Sequence, residues 1–396
     1  MATVAVLKLG IIFQFTSSEY LTRIILIDFP YATIQHLDSN RADSHEIVNT
    51  MTVQSQNKPN TLGHWASLAI KKHFQKVIDR EANVLKDRNP EDLHQMRVGM
   101  RRLRSAITGF APALDLPKPA QEKKIGKIAR TLGRLRDLDV LRQALQNHYK
   151  PALPSKEQKS LETALAHLDK QRRQAFEEVK KTLEHDGYQS LKQSLKKWLK
   201  QPSYQKIAQM PIQEVLPDLL LPEVSNLLLH PGWLVGTEVK EGEIHILKKL
   251  EPEIVEQQLA EQGPVLHSLR KETKRARYQM EVFSDFYGSS YEAYLKDVKV
   301  IQEILGQMQD TFVLAEFLSD VLQSEIKSLL PTLASQLAQT NYQAWQQWQP
   351  LQQRYLNIEI RKGFHSVILQ PSLNKLSNED KTPEDVTRNG RGEVPA

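Results

Sequence analysis

Apolar residues recur at a helical spacing along most of the chain. Between Leu62 and Leu85 they return about every 3.6 residues, which places them on one face of a helix. A second helix is predicted to begin at Pro90, because Asn89 is a good N-cap and proline lacks the N–H that would have no partner at the first helical position. Further helices are predicted over residues 122–149, 155–184 and 189–200. The pattern predicts an all-α fold.

A different pattern occupies residues 201–263. This segment contains five prolines, a turn at His230 to Trp233, and a short hairpin pattern around Val239 to Leu247. We interpret it as a connector between two helical regions, residues 61–200 and 264–349. Residues 350–396 are polar toward their end and are predicted to form a largely disordered C-terminal tail.

The two helical regions share an internal repeat. Leu93 to Arg104 aligns with Leu266 to Arg277 at an offset of 173 residues, and 15 of the 53 pairs aligned at this offset are identical. The same register aligns a second motif, in which a Leu-Gly pair precedes an aspartate. The chain is therefore predicted to be a tandem duplication: two antiparallel helical bundles related by a pseudo-twofold axis, with a central basic groove.

The first 60 residues differ from the helical text that follows them. They contain strand-like fragments and are predicted to be an N-terminal extension that is poorly ordered or not native, with the natural start at Met51. A genuine small extension is the alternative. The chain has no run of about 18 apolar residues and no signal-peptide pattern, so a cytoplasmic protein without a membrane span is expected.

Composition narrows the chemistry. The absence of cysteine excludes disulfides, thiolate metal sites and cysteine nucleophiles. The formal net charge of +6 is modest for 396 residues, so any binding of anions must depend on clustered rather than total charge.

Clustered charge is what the repeated helix shows. At about 100° per residue, its basic side chains fall within about 80° of arc, beside an apolar face. No acidic residue stands between His94 and Arg104 to compensate them, and the arcs are interpreted as lacking aromatic residues. The ordinary alternative is a solvated surface; we favour an anion-binding stripe in each half. The stripe residues are His94, Arg97, Arg101 and Arg104 in the first half, and His267, Arg270, Lys274 and Arg277 in the second.

Other charged residues flank these stripes. Arg102 and Arg275 lie further round each helix, facing solvent or a second wall of the groove. Asp137 and Asp310, in the Leu-Gly motif, are predicted to orient basic side chains rather than to act in catalysis. The first half should be the more positive at this motif, because it carries Arg130, Arg134 and Arg136 where the second has Glu303, Gln307 and Gln309.

The paired Leu-His-x-x-Arg-x-x-x-Arg/Lys-Arg-x-Arg helices, each followed by Leu-Gly-x-x-x-Asp, resemble the CHAD family, the conserved-histidine α-helical domain. The resemblance covers residues 62–349. It implies a non-enzymatic module without cofactor or metal that binds inorganic polyphosphate and can associate with polyphosphate granules. It points to the two stripes as the binding residues.

Two other functions compete with this one. A single-stranded RNA-binding protein would also use basic residues, although such proteins interleave them with stacking aromatics. A phosphatase acting on phosphoanhydrides or phosphohistidine is less favoured, since the sequence has no Walker-type glycine loop or paired carboxylates beside the stripes. The sequence predicts neither the oligomeric state nor a preferred polyphosphate length.

Overall fold

The structure, a computed structural model, describes residues 60–372 apart from residue 248. Eleven α-helices lie in this part of the chain, and the only sheet there is an antiparallel hairpin of β1 (Thr237–Lys240) and β2 (Glu243–Ile246). The predicted all-α fold and the hairpin are confirmed. The helices are α1 (Leu62–Val84), α2 (Pro90–Gly109), α3 (Glu122–Gln143), α4 (Ser155–Glu184), α5 (Asp186–Lys200), α6 (Ile212–Leu228), α7 (Pro252–Val282), α8 (Ser289–Leu322), α9 (Ile326–Leu329), α10 (Pro331–Leu356) and α11 (Ile358–Ile368).

The helix that carries the first stripe begins as its sequence predicts. The side chain of Asn89 accepts a hydrogen bond from the backbone N–H of Glu91 at 2.9 Å, and Pro90 occupies the first helical position. The apolar face of α2 is buried from Leu93 to Ile107. Because that face is fixed against the core, the basic arc beside it is held in one orientation.

The repeated helices α2 and α7 pack against each other through equivalent residues. Phe110 and Phe283, which are 173 residues apart in sequence, meet edge to face with their ring centroids 5.0 Å apart. Further toward the helix starts, the Gln279 amide donates to the backbone carbonyl of Ser105 at 3.5 Å. Since both contacts advance in the same direction along the two helices, α2 and α7 run parallel. Contact between equivalent residues is what a pseudo-twofold axis produces.

The two halves also share part of their core. Leu145 and Leu161 of the first half pack in one buried cluster with Leu314 and Leu333 of the second. Beside this cluster, the buried carboxylate of Glu157 in α4 accepts the backbone N–H groups at the start of α10. The halves are therefore joined by both apolar packing and a charged helix cap.

The predicted connector is mostly regular structure, which corrects its interpretation as a link. Residues 212–228 form α6 although Pro217 and Pro222 lie within it, and α7 begins at Pro252 rather than after Pro264. Apolar residues at helical spacing explain the difference in α6, because seven of them are buried there. Their burial outweighs a cost of about 3 kcal/mol for each interior proline.

The second half ends later than predicted. Helix α10 continues past residue 349 to Leu356, and α11 buries Phe364 and Ile368 against the core, so the folded part extends well into the predicted tail. The N-terminal extension, the Met51 start and the last part of the tail lie outside the described residues. None of the described helices is long and apolar enough to cross a membrane.

Candidate functional site

Basic residues from both halves meet where the stripes of α2 and α7 face each other. Lys274 of the second half interacts electrostatically with Arg270 on its own helix and with Arg97 and Arg101 of the first half. We call these four residues the central cluster. The two stripes therefore contribute to one site, a point that the sequence left open.

The surroundings of Lys274 in the central cluster oppose protonation of its amine. The pKa of Lys274 falls from 10.5 to about 8, first because the amine is buried and then because Arg270, Arg97 and Arg101 repel its charge. Asp137 opposes this shift without reversing it. The site therefore has more positive charge than its own carboxylates compensate.

The glycine of each Leu-Gly pair makes room for an arginine of the central cluster. A Cβ atom added at Gly133 would lie 3.7 Å from Nε of Arg97, and one added at Gly306 would lie 3.3 Å from Nε of Arg270. Both glycines are buried within helices. A Cβ atom at Gly306 would press on the guanidinium of Arg270, whereas one at Gly133 would make an ordinary contact with Arg97. The sequence showed the repeated Leu-Gly pair but not its structural role.

The two repeated aspartates lie beside the same arginines. Oδ1 of Asp137 is 3.6 Å from Nη2 of Arg97, while Asp310 interacts electrostatically with Arg270. Desolvation raises the pKa of both carboxyl groups, and in Asp310 the charge of Asp137 raises it further. The Asp137 side chain is still 56% exposed, so it lies in an open concavity and not in an enclosed pocket. Asp137 and Asp310 thus lie where they could orient Arg97 and Arg270, and this orienting role stays a prediction.

Sequence reasoning missed Tyr278. Its ring centroid lies 4.5 Å from Cζ of Arg101, 5.6 Å from Cζ of Arg277 and 6.0 Å from Nζ of Lys274. The interpretation that the basic arcs lack aromatic residues is therefore wrong. Tyr278 comes four residues after Lys274, about 40° further round the helix, and this spacing was the available signal.

The two repeated histidines lie at the N-terminal end of each stripe with similar surroundings. The pKa of His94 is lowered first by burial and then by Arg136, and that of His267 first by burial and then by Lys271 and Arg270. The His267 side chain also hydrogen-bonds Gln309, the equivalent of Arg136. Both imidazoles are therefore expected to be neutral at pH 7 in the free protein.

The outer end of each stripe is neutralised locally. Arg104 forms an ion pair with Glu122, and Nε of Arg277 lies 2.8 Å from a carboxylate oxygen of Glu281. No acidic residue stands between His94 and Arg104 in sequence, but the fold supplies Glu122 from another helix, and Glu281 follows Arg277 by one turn. The excess positive charge is concentrated in the central cluster.

The remaining predicted site residues lie apart from the central cluster, except Arg136. Arg102 lies beside His73 of α1, where burial and then Arg102 lower the pKa of this histidine to about 4. Arg275 is 3.2 Å from Glu272 and is mostly exposed. On α3, Arg134 pairs with Glu178 at 3.1 Å, and Arg130 precedes it by one turn.

The described residues contain no group of three acidic, histidine or cysteine side chains placed to hold a metal ion. The fold and site define a duplicated helical protein with a cationic centre between its halves. The profile of the CHAD domain family matches residues 68–319, so the chain belongs to that family.

Two solved structures are similar to this chain. The CHAD domain from the plant Ricinus communis is 22% identical, covers 82% of this chain and 98% of its own, and has a TM-score of 0.49. PptA from Streptomyces chartreusis is 13% identical, covers 78% of this chain and 100% of its own, and has a TM-score of 0.47. No curated protein matches the sequence.

Proposed function

We propose that this chain is a non-catalytic module that binds inorganic polyphosphate at the central cluster and can thereby associate with polyphosphate granules in the cytoplasm. One observation carries the proposal: the amine of Lys274 is buried among three arginines from two helices, and burial, together with repulsion by these arginines, lowers its pKa to about 8. Such repulsion disfavours the free site and is relieved when an anion binds.

The shape of the site favours a linear anion. The stripe from His94 to Arg104 spans about 15 Å at a rise of about 1.5 Å per residue, and the second stripe runs parallel to it. Guanidinium groups suit phosphate oxygens because they offer paired donors and are weakly hydrated. Family resemblance adds inorganic polyphosphate as the expected ligand.

The experiment is a titration with long-chain polyphosphate at several salt concentrations. The variant Arg97→Ala/Arg270→Ala removes equivalent residues of the central cluster. Its matched control, Arg102→Ala/Arg275→Ala, removes the same charge from the same helices at equivalent positions outside the cluster. We expect the first variant to lose at least tenfold in affinity and the control to stay within about twofold.

The salt dependence provides a second readout. By analogy with single-stranded nucleic acid, the log-log slope should be about −0.7 for each phosphate contacted, and it should become shallower only in the cluster variant. Equal losses of polyphosphate affinity in both variants would show that the stripes act only as general surface charge. Release of orthophosphate over time would contradict the non-catalytic part of the proposal.

Single-stranded RNA remains the second candidate, and one observation favours it. Tyr278 stands among the cations, so one aromatic ring for base stacking is available at the site. Competition between labelled RNA and polyphosphate at equal phosphate concentration distinguishes the two. If RNA displaces polyphosphate and not the reverse, the nucleic-acid function is favoured.

A further inference from the structure

A cavity of about 980 Å³ opens beside the N-terminal end of α2. It is lined by the start of α2, by the end of α3 with the π-helical turn Ala144–Tyr149 that follows, and by α4. Four arginines contribute to its wall: Arg136, Arg142, Arg172 and Arg173. A cavity of this size with so many guanidinium groups is suited to an anionic ligand rather than an apolar one.

The carboxylates in the cavity are largely occupied. Nε of Arg142 lies 2.6 Å from Asp169, and Arg172 binds Asp139 at 2.8 Å as well as Asp87 at 2.7 Å. Glu91 also lines the wall and accepts a hydrogen bond from the Gln95 amide.

Two of the arginines remain without such partners. Within the described part of the chain, neither Arg136 nor Arg173 has an ion pair or hydrogen bond. These two guanidinium groups are therefore free to bind a ligand.

Arg136 connects this cavity to the stripe of the first half. It lines the cavity, and it is also the charged group that most strongly lowers the pKa of His94. It further acts on Asp137 at the central cluster. Positive charge therefore continues from the central cluster past His94 and Arg136 into the cavity.

The second half has no equivalent charge along its path. At the offset of 173 residues, Gln309 stands in place of Arg136 and Ala315 in place of Arg142. Gln309 is engaged with His267 by a hydrogen bond. At these two positions, an anionic chain leaving the central cluster would thus meet guanidinium groups in the first half only.

We propose that the cavity is a second subsite for the same linear phosphate polymer, which passes from the central cluster over His94 and Arg136 into the first half. This inference rests on the proposed function. A ligand held in this way lies asymmetrically on a duplicated fold. Chains long enough to reach the cavity bind more tightly than chains that fill the central cluster alone.

The test compares tripolyphosphate with long-chain polyphosphate in the full-length chain. The variant Arg142→Gln/Arg173→Gln removes cations that line only the cavity. We expect its affinity for long-chain polyphosphate to fall about tenfold and its salt slope to become shallower by at least about 0.7, the value for the one phosphate contact of the unpaired Arg173. Its affinity for tripolyphosphate should stay within about twofold of the wild type.

A gain-of-charge variant and a control complete the experiment. Gln309→Arg/Ala315→Arg builds the first-half charges into the second half and should strengthen long-chain binding. Arg102→Gln/Arg275→Gln is the control for an equal loss of charge. Its affinity for long-chain polyphosphate and for tripolyphosphate should be unchanged. The proposal of a second subsite is overturned if the cavity variant keeps its affinity for long-chain polyphosphate. It is also overturned if the variant loses affinity equally for both ligands. The proposed function fails separately, if the central-cluster variant keeps full affinity.

Discussion

The guanidinium carbon of Arg101 lies 4.5 Å from the ring centroid of Tyr278, so a cation–π contact joins the two halves at their shared site. The contact breaks the internal symmetry, because the residues equivalent to Arg101 and Tyr278 are Lys274 and Ser105. Nε of Arg101 is buried without a hydrogen-bond partner among the described residues. The ring of Tyr278 therefore has a direct part in positioning this cation.

Replacing Tyr278 should weaken polyphosphate binding through Arg101. Tyr278→Leu removes the aromatic face, and since a cation–π contact contributes about 0.5–2 kcal/mol, the affinity should fall about twofold to thirtyfold. Tyr278→Phe keeps the face and should stay within about twofold. Titration of both variants, with thermal unfolding to confirm folding, checks this. Equal losses in Phe and Leu variants would show that the hydroxyl group matters and not the ring.

Binding should weaken as pH rises through about 8. A bound polyanion stabilises the protonated amine of Lys274 and so raises its pKa above the free value of about 8. Protons are then taken up on binding, and the affinity declines as the free amine loses its proton. Calorimetric titration at pH 8 in two buffers of different ionisation enthalpy measures this uptake.

Lys274→Arg provides the control for the pH effect. Arginine stays protonated throughout this range and already occupies the equivalent position 101, so the decline between pH 7 and 9 should flatten. The histidines add binding at lower pH in both proteins, because a polyanion also raises the lowered pKa of His94 and of His267. If the affinity of the wild type and of Lys274→Arg depends on pH in the same way, Lys274 does not cause the decline.

The paired glycines should respond differently to alanine. At Gly306 the new Cβ would lie 3.3 Å from Nε of Arg270 and must displace it, so Gly306→Ala should lower polyphosphate affinity about threefold. At Gly133 the distance of 3.7 Å to Arg97 is an ordinary contact, so Gly133→Ala should leave the affinity unchanged. Alanine favours a helix by up to about 1 kcal/mol, so neither variant should be less stable in urea. A larger loss of affinity at Gly133 would contradict this account.

Glu157 should matter for stability and not for binding. Its carboxylate accepts the backbone N–H groups of Thr332 at 3.1 Å and Leu333 at 3.2 Å, which cap α10 from the other half. Glu157→Gln retains one acceptor oxygen and loses the charge, so the free energy of unfolding should fall by about 1–3 kcal/mol. Glu162→Gln, on the same helix but in an exposed pair with Lys150, should cost under about 1 kcal/mol in urea unfolding. Equal stabilities would contradict the capping role.

Local rules explain what the sequence could predict. Helical periodicity and the Asn89 cap depend on neighbouring residues, and they were sufficient for α2 and for the all-α fold. The same rules failed in α6, where three-dimensional burial outweighs Pro217 and Pro222, and at the chain end, where Phe364 packs into the core. These outcomes depend on contacts between segments far apart in sequence.

By itself the sequence determined the duplication, the family resemblance and the residue types of the two stripes, because a repeat and an arc of charge are properties of spacing along one helix. Only the tertiary structure decided which charges meet. It brought Arg97 and Lys274 together from different halves, neutralised Arg104 and Arg277 with nearby glutamates, and placed Tyr278 over Arg101. The physical reason is that electrostatic interactions depend on distance in space, and the packing of α2 against α7 sets that distance.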